Sequence, residues 1–245
     1  MKLAVQLYSV REDAAKDFPG TLERIAALGV DGVEFAGYHG LSAEVLKGHL
    51  DRLGLAAAST HVMPEMPGTD FGAAVAYAKA VGCGSIVDPF AVVKTKTGIR
   101  HLAGKLAGWA RTAQDAGLAF GYHNHAHECF RVDAAGKTGL DLLFELTADA
   151  GVFAEPDTHW LQRGKVAPRA FLRRWAGRVR IVHLKDLDAT GKRDVAVGEG
   201  VMDIRGIWEA AEAAGAEWAV VELDTASFED VATGVANLKR MGLAR

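Results

Sequence analysis

Residues 21–37 read TLERIAALGVDGVEFAG. The first nine put Leu22, Ile25, Ala26 and Gly29 at helical spacing, with the glycine where a left-handed C-terminal cap needs one. The remainder is a short, nearly continuous apolar run, the pattern of a parallel strand buried on both faces. The unit recurs along the chain. AEVLKGHLDRLG (43–54) precedes LAAASTHV (55–62), GAAVAYAKAVGCG (72–84) precedes SIVDPF (85–90), and IRHLAGKLAGWARTAQDAG (99–117) precedes LAFGYHNH (118–125). TGLDLLFELTADAG (138–151) precedes VFAEPDTHW (152–160), PRAFLRRWAG (168–177) precedes RVRIVHLKD (178–186), and DIRGIWEAAEAAGAEW (203–218) precedes AVVELD (219–224). KLAVQLYSV (2–10) is a strand with no helix before it, and FEDVATGVANLKRMG (228–242) is a helix after the last strand.

Eight strands alternating with eight helices, one unit in roughly 30 residues, specify an α/β chain folded as a single (β/α)8 TIM barrel domain over residues 1–245. An open doubly wound sheet would carry a glycine-rich phosphate loop after its first strand. SVREDAAKDFPG (9–20) contains neither GxGxxG nor a Walker lysine loop.

Composition narrows the function classes. The chain is 49% hydrophobic and 24% charged with a formal net charge of −3, an ordinary globular balance without the basic excess of a nucleic-acid binder. Its two cysteines, Cys83 and Cys129, cannot form a disulfide framework or a cysteine-rich zinc site, and read as buried thiols. MKLAVQLYSVRED lacks the apolar core of a signal peptide, and no run approaches the ~18 apolar residues of a membrane span. The expectation is a soluble cytoplasmic protein with no membrane or nucleic-acid partner.

In such a barrel the active site lies at the C-terminal ends of the strands. Those ends are polar here: Gln6 and Tyr8, Glu34, His61, Asp88, Tyr122-His123-Asn124-His125, Glu155-Pro156-Asp157, His183-Leu184-Lys185-Asp186, and Glu222-Leu223-Asp224. The opposite ends carry no such cluster. Burying these groups is costly unless they are paired or hold a cation. Strand side chains alternate, so His183 shares a face with Lys185, Glu222 with Asp224, Glu155 with Asp157, and His123 with His125. Converging imidazoles and carboxylates form a mononuclear site that suits Mn²⁺, Co²⁺, Zn²⁺ or Fe²⁺ better than Mg²⁺.

GYHNHAHE (121–128), EPDTHW (155–160), HLKD (183–186), GEGVMD (198–203) and VVELD (220–224) resemble the sugar phosphate isomerase/epimerases of the "YHNH" type, xylose isomerase-like TIM barrels. The resemblance runs from the first strand to the last helix. It implies metal ligands at Asp157, His183 and Glu222. In ketose epimerases of this superfamily the fifth strand adds a glutamate. Here that strand reads Tyr122-His123-Asn124-His125, so the fourth ligand is Glu128 folding back or His123, with Glu128 preferred.

The chemistry that follows is proton abstraction next to a carbonyl of a ketose, keto-sugar or cyclitol, through a metal-stabilised enediolate. Return of the proton gives epimerisation or isomerisation, and loss of a β-hydroxyl gives dehydration of the inosose dehydratase kind. Glu222 is the expected base. Lys185 is a catalytic acid or oxyanion partner, or else ion-pairs with Asp186 or another carboxylate. His125 relays protons, and His61 and His123 bind hydroxyls. Trp160 stacks on a sugar face or packs the core; Glu34 binds a hydroxyl or anchors its strand end. His127 and His159 have the opposite parity and rank lower.

Arg163, Lys165, Arg169, Arg173 and Arg174 read as a solvated helix face rather than a phosphate site. Gly198-Glu199-Gly200 reads as a turn. The rival readings are a three-zinc endonuclease, disfavoured by the charge, and a non-enzymatic sugar-binding barrel. A homo-oligomer is compatible with the sequence.

Overall fold

The computed structural model describes residues 1–225 and 227–244. Eight strands run parallel: β1 (Lys2–Gln6), β2 (Gly32–Phe35), β3 (Ala56–His61), β4 (Ser85–Asp88), β5 (Ala119–His123), β6 (Phe153–Glu155), β7 (Ile181–Leu184) and β8 (Trp218–Val221). They form one sheet in the order β6-β5-β4-β3-β2-β1-β8-β7. Its two edges meet through the bridges Ala154–Val179 and Asp157–His183, where His183 N donates to Pro156 O at 3.0 Å. The (β/α)8 barrel read from the sequence is therefore the fold.

The helices form the outer layer. Gly29 and Gly54 adopt φ of +69°, the left-handed turn that the helix-glycine-strand repeat requires. The main apolar core lies between helices and barrel, built from side chains such as Leu22, Ile25, Phe120, Leu143 and Val221. No helix among the described residues is long and apolar enough to cross a membrane.

Some expected boundaries move. β1 ends at Gln6, and Leu7–Val10 form a 3-10 turn. The run 152–160 is a strand only to Glu155, because Asp157 caps the helix Thr158–Arg163 by accepting from Trp160 N. A further short helix, Arg11–Lys16, follows the first turn.

Inside the barrel the side chains stack in two kinds of layer. The lower interior is apolar: Ala4, Ala58, Val87, Phe153, Ile181, Trp218 and Val220 form one buried cluster. Large rings fill it because glycines stand opposite them. A Cβ on Gly121 would lie 2.4 Å from the Phe153 ring, and one on Gly32 would lie 3.0 Å from the Trp218 ring. Two residues further along the strands the same inward parity gives Gln6, Glu34, His123, Glu155, His183 and Glu222. An extra residue in β3, where its register to β2 shifts, lets His61 join this polar layer although Ala58 lies in the apolar one.

Candidate functional site

Two overlapping sets of ligating side chains sit at the C-terminal end of the barrel. His123, Asp157, His183 and Glu222 each offer one ligand atom within 4.8 Å of the others, and so do His61, His123, Glu155 and His183. The three imidazoles are crowded together, with ring centroids of His123 and His183 4.6 Å apart and of His61 and His183 5.5 Å apart. Above them a cavity of about 720 Å³ opens to solvent, a volume in the range of small-molecule sites. His61, His123, His125, Lys185, Glu222 and Asp224 reach its floor, while Tyr8, Met63, Met66, Phe90 and Trp160 form an apolar wall.

On the cavity side, Lys185 is buried with its ammonium 3.1 Å from Asp157 Oδ2, 3.2 Å from Glu222 Oε2 and 2.7 Å from Asp224 Oδ1. Burial disfavours its charge, but these three carboxylates hold its pKa above the usual lysine range. Burial likewise pushes Glu222 upward, yet Lys185 and His183 together hold it well below the ordinary carboxylate range. Beyond its ion pair with Lys185, the buried Asp157 Oδ2 has no hydrogen-bond partner among the described residues. His125 is pushed down to about 4, chiefly by burial, and its Nδ1 has no partner. It is therefore a neutral ring at the cavity floor.

On the far side of the imidazoles, Glu34 and Glu155 are fully buried. His61 Nε2 lies between them, bonded to Glu34 and 2.7 Å from Glu155 Oε2. His183 Nε2 lies 3.0 Å from Glu34 Oε2, and His123 Nδ1 lies 3.2 Å from Glu155 Oε2. Gln6 fixes Glu34 by donating from Nε2 to Oε1 at 2.9 Å, its own orientation set by Tyr8 N donating to Gln6 Oε1. Burial opposes charge throughout this layer. The carboxylates nevertheless raise His61 to about 10 and His183 well above the usual value. Glu155 is pushed up to about 7 by burial and by the neighbouring Glu34 charge, whereas His61 and His183 pull Glu34 down against its burial. His123 is held well below the usual histidine range by burial and by the charge of His183.

Several sequence expectations change. Glu128 does not reach the cluster: the chain turns after β5, and the 3-10 turn His127–Cys129 folds the carboxylate back onto its own strand end. There it accepts from the Tyr122 hydroxyl at 2.7 Å and from His125 N at 2.9 Å. His123, the alternative, lies in both ligand sets. Glu34 is not on the cavity wall; its oxygens are taken by Gln6, His61 and His183. Glu155 was not singled out among the candidate residues, although its parity with Asp157 at the end of the sixth strand is the signal that could have found it.

Lys185 pairs with Asp157, Glu222 and Asp224 rather than with Asp186. Asp186 instead clasps the loop after β7, accepting from Leu187, Gly198, Gly200 and Met202 N at 2.8–3.0 Å, so Gly198-Glu199-Gly200 is indeed a turn. His127 Nε2 binds Ala91 O, and His159 is buried with neither ring nitrogen partnered. Trp160 lies on the cavity wall beside His125. Both cysteines are free and buried. Arg169 and Arg174 pair with Asp203 and Asp141 away from the floor of the cavity.

The sequence matches a family described as xylose isomerase-like TIM barrel over residues 22–241. No curated protein sequence matches the chain. Among solved structures, a sugar phosphate isomerase/epimerase from Parabacteroides distasonis ATCC 8503 superposes with a TM-score of 0.86 at 22% identity, covering 100% of this chain and 96% of that one. An IolI protein carrying a zinc atom gives a TM-score of 0.77 at 14% identity, covering 99% and 97%. An L-ribulose 3-epimerase gives 0.71 at 18% identity, covering 99% and 93%. At these identities the likeness is one of fold.

Proposed function

The chain belongs to the xylose isomerase-like TIM barrel family, and we propose that it is a divalent-metal-dependent sugar isomerase or epimerase acting on a ketose, keto-sugar or cyclitol. The observation that carries the reading is the convergence of His123, Asp157, His183 and Glu222, from four successive strand ends, within 4.8 Å, with His123 and Glu222 reaching the floor of an open cavity. This donor set fits a cation. It combines two imidazoles with two carboxylates, the mixture favoured by Mn²⁺, Co²⁺ or Zn²⁺, and beyond its ion pair with Lys185 the buried Asp157 Oδ2 has no hydrogen-bond partner among the described residues. When bound there, a divalent cation supplies Lewis acidity that polarises a carbonyl and makes its neighbouring C–H more acidic.

The remaining work falls to side chains on the cavity floor. Glu222, held ionised by Lys185 and His183, accepts the α-proton at a carboxylate oxygen. Lys185 stays protonated, and its ammonium, held by Asp157, Glu222 and Asp224, places a fixed positive charge near the oxygen on which negative charge grows. Neutral His125 binds a hydroxyl through its unpartnered Nδ1, and the Trp160 ring covers a face of the sugar. Among the described residues lining the cavity the only cationic lysine or arginine is Lys185, already paired with three carboxylates, which favours a substrate without a phosphate.

A second reading shares the same first step. If a β-hydroxyl leaves after the proton is taken, the product is that of a dehydratase. The observation in its favour is that β5 contributes His123 where a two-glutamate epimerase would place its other carboxylate. The test is proton exchange. The Mn²⁺-loaded chain is incubated in D₂O with ketoses, 3-keto sugars and inososes, and the α-proton signal is followed by NMR. The proposal expects exchange on at least one substrate, abolished in Glu222→Gln. Loss of water from an inosose would select the dehydratase. No exchange on any of them by a cation-loaded chain would overturn the reading.

A further inference from the structure

Each of two imidazoles in the site is faced by a carboxylate on both sides. His183 has Glu222 Oε2 2.6 Å from Nδ1 and Glu34 Oε2 3.0 Å from Nε2. His123 has Asp157 Oδ2 3.7 Å from Nε2 and Glu155 Oε2 3.2 Å from Nδ1. We infer that Glu34 and Glu155 are positioning residues, which select the ring tautomers of His183 and His123 and so turn one lone pair of each toward Asp157 and Glu222. The inference rests on the cation-binding reading above and specifies how the chain prepares for it.

The argument is one of donors and acceptors. A neutral imidazole carries one N–H and one lone pair, and an ionised carboxylate only accepts. If the N–H of His183 lay on Nδ1 it would bond to Glu222, and the lone pair would be spent on the side away from the cavity. Glu34 offers an acceptor at Nε2, so a ring that gives its Nδ1 lone pair to a cation in place of a proton still donates its one remaining N–H. It is suited to the task because Gln6, itself fixed by Tyr8 N, holds Oε1 at 2.9 Å and leaves Oε2 for His183.

Glu155 does the same for His123. Its Oε2 receives His123 and His61, while Oε1 is buried with no hydrogen-bond partner. A carboxylate retained only to stabilise the fold would be expected to have both oxygens satisfied. Metal-binding histidines commonly donate their second ring nitrogen to a carboxylate in this way, which orients the ring and raises its basicity.

The experiment uses Zn²⁺, which is diamagnetic, with the chain labelled with ¹⁵N in its histidines. Long-range ¹H–¹⁵N correlation reads the tautomer of each ring, and competition with a chelating dye reads the Zn²⁺ Kd. The expected result for the Zn²⁺-loaded wild type is an Nε2–H tautomer at His183 and an Nδ1–H tautomer at His123. Glu34→Gln and Glu155→Gln, folded by circular dichroism, should each weaken Zn²⁺ binding by about 10- to 100-fold. A Zn²⁺-loaded wild type with Nδ1–H at His183 would overturn the inference and leave the cation reading standing. So would wild-type Kd values in both folded variants. A wild type that takes up no Zn²⁺, Mn²⁺ or Co²⁺ would remove both.

Discussion

Replacing Lys185 by Met removes the ammonium from three carboxylates while keeping most of the side chain's volume. Two of the partners, Asp157 and Glu222, are 0% and 7% exposed, whereas Asp224 is 36% exposed and its contact with Lys185 is screened by water. The loss is therefore set by the two buried contacts at 3.1 and 3.2 Å. Leaving buried charges without their partner costs about 3–5 kcal/mol. In a domain of this size each kcal/mol lowers Tm by about 2–4 °C, so the metal-free variant should melt roughly 6–20 °C below the wild type. A divalent cation held by the same carboxylates takes over the ammonium's role. At a fixed concentration 100 times the wild-type Kd it adds about 2.7 kcal/mol to the wild type and more to the variant, whose Kd should be lower because no ammonium competes, so the deficit shrinks. Calorimetry in chelator and in excess Mn²⁺ measures both effects. A variant that melts within about 2 °C of the wild type in chelator would refute the reasoning. So would a deficit of the same size with and without Mn²⁺.

Three other perturbations are informative. Burial raises Asp88 to about 7 from an ordinary value near 4, so the folded chain holds this proton more tightly than the unfolded chain, and stability falls as pH rises from 4 to 7. Asp88→Asn should gain up to about 4 kcal/mol at pH 8 and nothing at pH 3.5, read by urea unfolding at the two pH values; a gain equal at both would contradict the assignment. Asp186→Asn puts an amide N–H₂ or a weaker acceptor against Gly198 N and Gly200 N, both now bonded to Oδ2. Two charge-assisted bonds lost should cost about 3–6 kcal/mol and expose residues 187–203 to protease, and a cost under about 1 kcal/mol would rule out the clasp. Gly121→Ala drives a Cβ to 2.4 Å from Phe153 and should cost about 1–3 kcal/mol in urea unfolding, with a neutral result showing that the apolar layer yields.

The barrel was legible because its signals are local. A helix stripe, a glycine and an apolar run repeat within short windows, and Gly29 and Gly54 adopt the left-handed turn that the pattern demands. Strand alternation also identified inward residues at the ends of β7 and β8, since His183 and Glu222 do converge inside. What alternation cannot supply is depth along the barrel axis. Glu34 and Glu155 point inward, but they lie behind the imidazoles, bonded to His183 and His123, instead of on the cavity floor. Nor does alternation say where a strand stops. Asp157 faces His183 through a parallel bridge although it caps a helix, and Glu128 turns back to Tyr122 because the chain leaves β5 through a tight 3-10 turn. Both outcomes depend on loops whose course is fixed by tertiary contacts.

The claim on which the account depends is that His123, Asp157, His183 and Glu222 hold a divalent cation. The most direct measurement is metal content by plasma mass spectrometry on protein purified without chelators or a metal-binding tag, then reloaded with Mn²⁺, alongside Asp157→Asn, Glu222→Gln and Glu128→Gln. The account predicts about one equivalent per chain, lost in the Asp157 and Glu222 variants and retained in the Glu128 variant, whose carboxylate is held by Tyr122 and His125. No ion in the reloaded wild type, or an ion lost with Glu128 and kept without Asp157 and Glu222, would contradict it.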